Sequence, residues 1–366
     1  MTDNLEKDYD FNDSRKETVL EKCDNCGGNM IFDPATQCLK CEHCGSLRDF
    51  SKNADVKEIE IENALMEAEK WDREASAYRC ENCGAVVILA SGETATKCPY
   101  CNTAHIVKSS ELAGLKPNCV YPFTITRDKA VEKAKEWAKK RIFAPKKFKK
   151  SLKAENVTGI YEPCFTFDST TYSSYSGRIG KNRTRTVGSG KNRRTETYTE
   201  WRNISGTFTE AFDDVMVSAG NSYGQNTLEK LMPFDYGTIK VYEQKYLTGF
   251  MAHRHEKNVP TAWENAKSII DKKLKSDILD QYDYDVVGYI NVSTTHENVT
   301  YKYVLLPVYT LNFKYKNKIY ATFVNGNTGK VTGKTPVSPL RVGILVLIIL
   351  AVIAGAAYLY FKYQGV

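Results

Sequence analysis

The chain has 366 residues, of which 42% are hydrophobic and 26% charged, with a formal net charge of +7 and 23 tyrosines. That length fits two or three folded units, and that composition excludes a disordered chain. The net charge is too small to indicate a nucleic-acid partner by itself, and the polar, mixed-charge first seventeen residues exclude a secretory signal. Residues 1–20 are expected to be a flexible tail.

Nine of the eleven cysteines lie between positions 23 and 101. The first block reads Cys23-Asp-Asn-Cys26 and then Cys41-Glu-His-Cys44; the second reads Cys80-Glu-Asn-Cys83 and then Cys98-Pro-Tyr-Cys101. Fifteen positions separate Cys26 from Cys41, and the same number separates Cys83 from Cys98, so the blocks form an internal repeat. A disulfide framework belongs to small secreted domains and does not use paired C-x-x-C spacing. A C-x-x-C turn brings two thiolates to one point, and a glycine after the pair (Gly27, Gly45, Gly84) lets the backbone turn. Two such knuckles place four sulfurs at about 2.3 Å from a zinc ion and close its shell. The eight cysteines are therefore expected to hold two structural Zn2+ ions, in ribbons over 21–48 and 78–108 with apolar strands at 30–32 and 86–89. Cys38 is expected to be a spare thiol, although its place beside Cys41 and Cys44 leaves open whether it replaces a ligand. His43 and His105 are expected at the surface, and Cys119 and Cys164 as small buried side chains.

Between the ribbons, Ile61, Ala64, Leu65, Ala68, Trp71 and Ala75 mark one face of a helix, a connector over 49–77. Beyond the second ribbon the pattern predicts an α+β domain over 109–335 in two related halves, about 120–250 and 255–335. Each half opens with a helix. Ala130, Ala134, Trp137, Ala138 and Ile142 mark the first; Trp263, Ala266, Ile270 and Leu274 mark the second, with a capping box at Thr261 and Glu264. Each helix leads to a similar alternating stretch, Tyr161-Glu-Pro163-Cys-Phe165-Thr-Phe167 and Leu305-Leu-Pro307-Val-Tyr309-Thr-Leu311. Alternation around Gly/Asn turns predicts antiparallel hairpins, hence a duplicated helix-on-antiparallel-sheet unit.

Two stretches concentrate the positive charge. Residues 127–153 hold twelve Lys or Arg against three acids and end in Lys146, Lys147, Lys149 and Lys150. Residues 178–194 hold Lys181, Arg183, Arg185, Lys191, Arg193 and Arg194 with no acid between them, and Gly180, Gly188 and Gly190 predict a mobile loop there. A solvated face is the plainest reading of both; anionic lipid, nucleic acid or an acidic protein is the functional one.

After a linker at 336–341, residues 342–361 form a run of twenty residues with no charge, long enough to span about 30 Å of hydrocarbon. Arg341 and Lys362 bracket it, and residues 362–366 form a short tail. Lys330, Lys334 and Arg341 precede the run while Lys362 alone follows it, which places the bulk of the chain in the cytoplasm. Zinc-bound thiolates require the same reducing side.

The chain as a whole resembles the bacterial TFIIB-type zinc ribbon-containing membrane proteins, some of which carry primosomal or replication names. The resemblance rests on the ribbons, on Phe143-Ala-Pro145-Lys-Lys-Phe148, and on Gly159-Ile-Tyr161-Glu-Pro163 running to Asp168. It continues through Trp201, Gly206, Phe212-Asp-Asp214, Pro233-Phe234-Asp235, Tyr246-Leu-Thr-Gly249-Phe, Leu305-Leu-Pro307 and Val324-Asn-Gly-Asn-Thr-Gly329. It implies a membrane-associated scaffold or adaptor, found with phage-shock and SPFH-type membrane proteins, and no enzymatic activity.

The residues themselves carry no catalytic pattern. Gly329-Lys-Val-Thr-Gly333-Lys334-Thr335 is one residue short of a phosphate loop, with Pro336 where a helix must start. His253 and His255 lack a third ligand nearby in the sequence. The chain is therefore expected to be a membrane-anchored, cytoplasm-facing zinc-ribbon adaptor that binds partner proteins, with a membrane-tethered nucleic-acid-binding protein as the alternative.

Overall fold

The computed structural model describes residues 21–50, 55–63, 75–81, 86–90, 98, 106–109, 115–220, 224–315 and 318–363. Its architecture is α+β: a small N-terminal antiparallel sheet bearing a cysteine cluster, a larger mixed sheet with helices, and one long apolar C-terminal helix.

The small sheet consists of β1 (Met30–Asp33), β2 (Cys38–Cys41) and β3 (Leu47–Arg48) in that order. Alternation sends Met30 and Phe32 of β1 and Leu39 and Cys41 of β2 inward. This side is the floor of the main core. Phe32 meets Tyr246 at 5.2 Å between ring centroids and Phe250 at 6.3 Å, and its N–H donates to the Thr248 hydroxyl at 3.0 Å. The ribbon is thus docked against the body over a broad aromatic contact.

Strand β4 (Ile59–Glu60) pairs with Thr300 and Tyr301, and residues 61–63 form a single 3-10 turn. Most of the expected connector helix, including Ala64, Leu65, Ala68 and Trp71, lies outside the described residues. Ala75, assigned to that helix face, instead opens a strand. Strands β5 (Ala75–Cys80), β6 (Val86–Ala90) and β7 (Ile106–Ser109) are antiparallel with β5 in the middle, in the stretch expected to form a second ribbon. They are not a separate sheet: β6 continues into the body by pairing Ile88 with Ala252 and Val87 with His253.

The body opens with β8 (Cys119–Val120), α1 (Arg127–Lys139), α2 (Lys146–Ser151), β9 (Val157–Val187) and β10 (Arg194–Ser218). Next come α3 (Gly224–Leu231), β11 (Lys240–Val241), β12 (Met251–His253) and α4 (Val259–Leu279). It closes with β13 (Val286–Tyr315), β14 (Lys318–Asn325), β15 (Val331–Gly333) and α5 (Pro339–Tyr363). The long strands β9 and β13 lie side by side, antiparallel, from Val157 opposite Leu311 to Gly180 opposite Val286. Each is preceded by a short strand and a helix, and each short strand lies parallel on the other set's long strand. Cys119 and Val120 pair with Val304 and Leu305, as Met251 and Ala252 pair with Ile160 and Tyr161.

Both predicted body helices form, with local corrections. Helix α1 buries Ala130, Ala134 and Ala138, but Ile142 lies beyond its end and is 63% exposed. Helix α4 buries Ala266, Ile270 and Leu274, yet its cap is Asn258, whose side chain accepts the Thr261 N–H at 2.9 Å. Thr261 is therefore inside the helix and cannot head a capping box. Gly329 to Thr335 includes β15 and no helix, as the failed phosphate-loop pattern requires.

The expected loop at 178–194 is a two-stranded ribbon. β9 runs to Val187 and β10 resumes at Arg194, with register kept from Arg194 opposite Val187 down to Phe212 opposite Ser169. Only residues 188–193 connect the strands, and Gly188 (φ +93°) and Gly190 (φ +57°) supply the left-handed positions that the connection needs. Gly180 lies within β9, where a Cβ would meet Thr199 at 2.4 Å, so it marks close packing and not mobility.

Candidate metal centre and membrane anchor

Cys23, Cys26, Cys41 and Cys44 present their sulfurs within 4.8 Å of one another. Cys23 and Cys26 come from the turn before β1, Cys41 from the end of β2, and Cys44 from the turn into β3. The closest pairs, Cys23 with Cys44 and Cys26 with Cys41, are both 3.5 Å apart. Four sulfurs at zinc-bond length in a tetrahedron are separated by about 3.8 Å, so the set fits a zinc ion with little adjustment. Gly27 (φ +68°) and Gly45 (φ +76°) make the knuckle turns as the sequence predicted.

The electrostatics suit thiolates. Cys44 is held down to about 6 by the Ser46 hydroxyl and the Ser46 backbone N–H. Cys41 is held below the ordinary thiol range, first by the Cys44 N–H, with the His43 N–H assisting against burial. At Cys26 the Gly28 N–H also favours the anion, but the neighbouring sulfurs of Cys41 and Cys44 outweigh it and push the thiol up to about 12. A divalent cation removes that competition by binding all four as anions. Cys23 and Cys41 are buried and Cys26 and Cys44 exposed, so one side of the centre faces solvent, beside the exposed Glu42, His43 and Leu47. Cys38 stands on β2 opposite Asp33 and outside the four-sulfur group.

Of the second set, Cys80 ends β5 and is buried, and Cys98 is buried as well. Cys83 and Cys101 lie outside the described residues, as does His105. Cys119 and Cys164 are fully buried, as expected. Neither histidine of the 253–255 pair is in a metal-binding group among the described residues. His253 is buried with its Nδ1 2.7 Å from Glu162, while His255 accepts the Leu115 N–H on Nε2 and meets the Lys257 carbonyl through Nδ1.

A second charged group was missed by the sequence reading. Lys302 is 7% exposed and holds Asp214 at 2.9 Å, Glu58 at 3.0 Å and Asp168 at 3.2 Å. Burial works against its charge, but the bonds to Asp214 and Glu58 prevail and hold the ammonium above its ordinary pKa. Burial raises Asp168 to about 6. Asp168, Asp213 and Asp214 lie within 4.8 Å of one another, and the Lys302 ammonium fills the cation's place beside two of them. Strand pairing across more than a hundred residues assembles this group, so no local spacing announces it.

The basic residues separate into two places. Lys146, Lys147, Lys149 and Lys150 belong to α2, beside the start of β9, where Phe148 packs on Phe313. Lys181, Arg183, Arg185 and Arg194 lie at the far end of the β9–β10 ribbon, with Lys191 and Arg193 in its connection. There the hairpin brings acids across to two of them, Arg183 pairing with Glu200 at 3.1 Å and Arg185 with Glu196 at 3.5 Å, while Arg194 meets Glu196 at 2.8 Å two positions along its own strand. Lys181 bonds Asp283. The sequence stretch without acids is therefore partly neutralised by acids that adjoin it in space.

Helix α5 contains a span, Pro339–Tyr360, with mean hydropathy 2.8 and none of it buried in the protein. It begins three residues before the uncharged run. Its base is held by Arg341 Nη1, which donates to the carbonyls of Ile142 (2.8 Å) and Ala144 (2.7 Å), and by the Ser338 N–H on the Phe143 carbonyl (2.9 Å).

Together these features describe an α+β protein with an N-terminal cysteine cluster able to hold a metal ion and, among the described residues, one membrane-length apolar helix, consistent with association with a membrane. The chain is 31% identical over 331 residues to YdjG, an uncharacterized protein of Bacillus subtilis (strain 168), covering 87% of this chain and 91% of that one. It belongs to the same protein family as YdjG. No family model and no solved structure matches it.

Proposed function

We propose that the protein is a membrane-anchored zinc-ribbon adaptor of the TFIIB-type zinc-ribbon kind, which holds partner proteins at the cytoplasmic face of the membrane and performs no chemistry itself. The observation that carries this reading is the pairing of an unburied apolar α5 with a cysteine cluster that keeps one face open to solvent. A closed shell of four thiolates has no position for substrate, so the metal shapes a surface. That surface displays Glu42, His43 and Leu47, the last 54% exposed. Thiolate ligands and the Lys/Arg excess before α5 support a cytoplasmic body. The family resemblance supports partners from membrane-stress or membrane-organisation machinery, of the phage-shock or SPFH type. The matched fifteen-residue spacing and the burial of Cys80 and Cys98 support a second structural zinc held by Cys80, Cys83, Cys98 and Cys101. The arrangement of each short strand on the other set's long strand supports a duplicated body.

Nucleic-acid binding remains the alternative, but the ion pairing of Arg183, Arg185 and Arg194 with acids weighs against it. The test is co-purification from gently solubilised membranes of the full chain and of a Glu42→Ala, His43→Ala, Leu47→Ser variant, which keeps all four thiols. Defined proteins retained by the first and lost from the second support the adaptor. Recovery of nuclease-sensitive material, or identical partners with both, defeats it.

A further inference from the structure

The base of α5 and the α1–α2 elbow enclose a groove lined by Ile142, Phe143, Ile344, Leu345 and Ile348, with Arg341 at its mouth. Its walls are apolar, yet it opens outward and nothing in the protein covers it among the described residues. Ile142 is 63% exposed between Arg141 and Phe143, an unfavourable placement for that side chain in water. The level of the groove explains it. Ile348 is seven residues beyond Arg341, about 10 Å along the helix, so the α5 wall reaches acyl-chain depth while Arg341 and the elbow backbone it holds lie at the headgroup boundary, where Ile142 faces that wall.

The mouth of the groove and the elbow adjoining it are cationic, with no carboxylate partners among the described residues. Arg341 uses Nη1 on two backbone carbonyls and meets no carboxylate among the described residues. Arg141 lies 4.8 Å over the Trp137 ring, and Lys139, Lys140, Lys146 and Lys147 are exposed, none of them in an ion pair among the described residues. This contrasts with the cations at the end of the β9–β10 ribbon, most of which have acidic partners.

We propose that this groove binds an anionic phospholipid of the leaflet that α5 enters, its acyl chain along Ile344, Leu345 and Ile348 and its phosphate at Arg341, Arg141 and Lys140. The inference rests on reading α5 as a membrane span and specifies which lipid surrounds its base. A cation near an anionic surface is worth about a five-fold gain, so a rim of this kind selects anionic over zwitterionic lipid.

The test uses the full chain reconstituted into vesicles of equal parts phosphatidylcholine and phosphatidylglycerol. The protein is then extracted gently, and the lipids still attached are counted by native mass spectrometry. Wild type is expected to retain phosphatidylglycerol preferentially. A Lys140→Gln, Arg141→Gln, Ile142→Ser variant, which leaves the elbow-fixing Arg341 intact, is expected to lose that preference about five-fold or more. A Lys191→Gln, Arg193→Gln variant at the ribbon's connection is expected to keep it. Equal retention of both lipids by wild type, or an unchanged preference in the elbow variant, overturns the lipid site while leaving the anchor in place. Removal of the wild-type chain from the vesicles by an alkaline wash overturns the anchor reading and the lipid site with it.

Discussion

At the scale of single residues, the cysteines and histidines make separable predictions. A closed four-thiolate zinc shell contributes about 10–16 kcal/mol in short peptides, which suits a ribbon whose sheet has only three short strands. Two sites predict two zinc equivalents released when the thiols are modified. Cys23→Ser with Cys41→Ser is expected to leave one equivalent, and so is Cys83→Ser with Cys101→Ser. Release of a single equivalent by the unmodified chain would dismiss the second site. The buried histidines set a pH dependence. Burial drives His253 down to about 3 and holds His255 below its ordinary value, where its Nε2 must stay unprotonated to accept the Leu115 N–H. Above about pH 6.5 neither folded nor unfolded chain protonates these rings. Below it the unfolded chain binds protons that the folded chain refuses, so stability falls with pH, by up to about 1.4 kcal/mol per unit for a fully buried ring. His255→Gln, whose amide oxygen accepts the same N–H, is expected to fall less steeply than wild type when urea midpoints are compared from about pH 7 to about pH 5. Parallel curves would remove His255 from the account.

At the scale of elements, the part of the β9–β10 ribbon beyond Gly180 has no third strand among the described residues, since β13 begins opposite that glycine. Its exposed side chains contribute nothing to the cores formed around α1, α3 and α4. Replacing residues 183–198 with an Asn-Gly turn is therefore expected to leave the melting temperature within a few degrees of wild type. A large drop would show that the ribbon's end is needed for folding. These elements also show where the sequence was legible. The first pair of knuckles, the apolar helix and the body helices were readable because their signals repeat over a few residues: C-x-x-C, an uncharged run, alanines at helical spacing. The ribbon's docking was not, because Phe32 finds Tyr246 and Phe250 more than two hundred positions away. The long strands were hidden by their own composition. Ser174, Ser176, Arg178 and Gly180 alternate with Tyr175, Gly177 and Ile179, and half of that pattern reads as loop until Ile278 of α4 covers the other half. The acids opposite Arg183 and Arg185, and those around Lys302, became neighbours only through strand pairing.

At the scale of the whole molecule, the anchor and the ribbon's end lie at opposite ends of the same strands. β9 starts beside α2 and the elbow that Arg341 holds, and runs 31 residues, a contour of about 100 Å, to Val187. Electrostatics act unequally on the two ends. The elbow's cations are without carboxylate partners among the described residues, whereas four of the distal ones face acids, so an anionic leaflet attracts the elbow end and leaves the far end free. The sheet is therefore expected to stand away from the membrane, with the basic ribbon end too distant to share the lipid surface with α2. Energy transfer from a fluorescent amino acid to acceptor-labelled lipid in vesicles measures this directly. A fluorophore replacing Lys150, in α2, is expected to transfer strongly, and one replacing Ser189, in the ribbon's connection, hardly at all. Equal transfer from both positions would mean that the sheet lies flat, and the distal cations would then rejoin the elbow lysines as candidates for the same anionic surface.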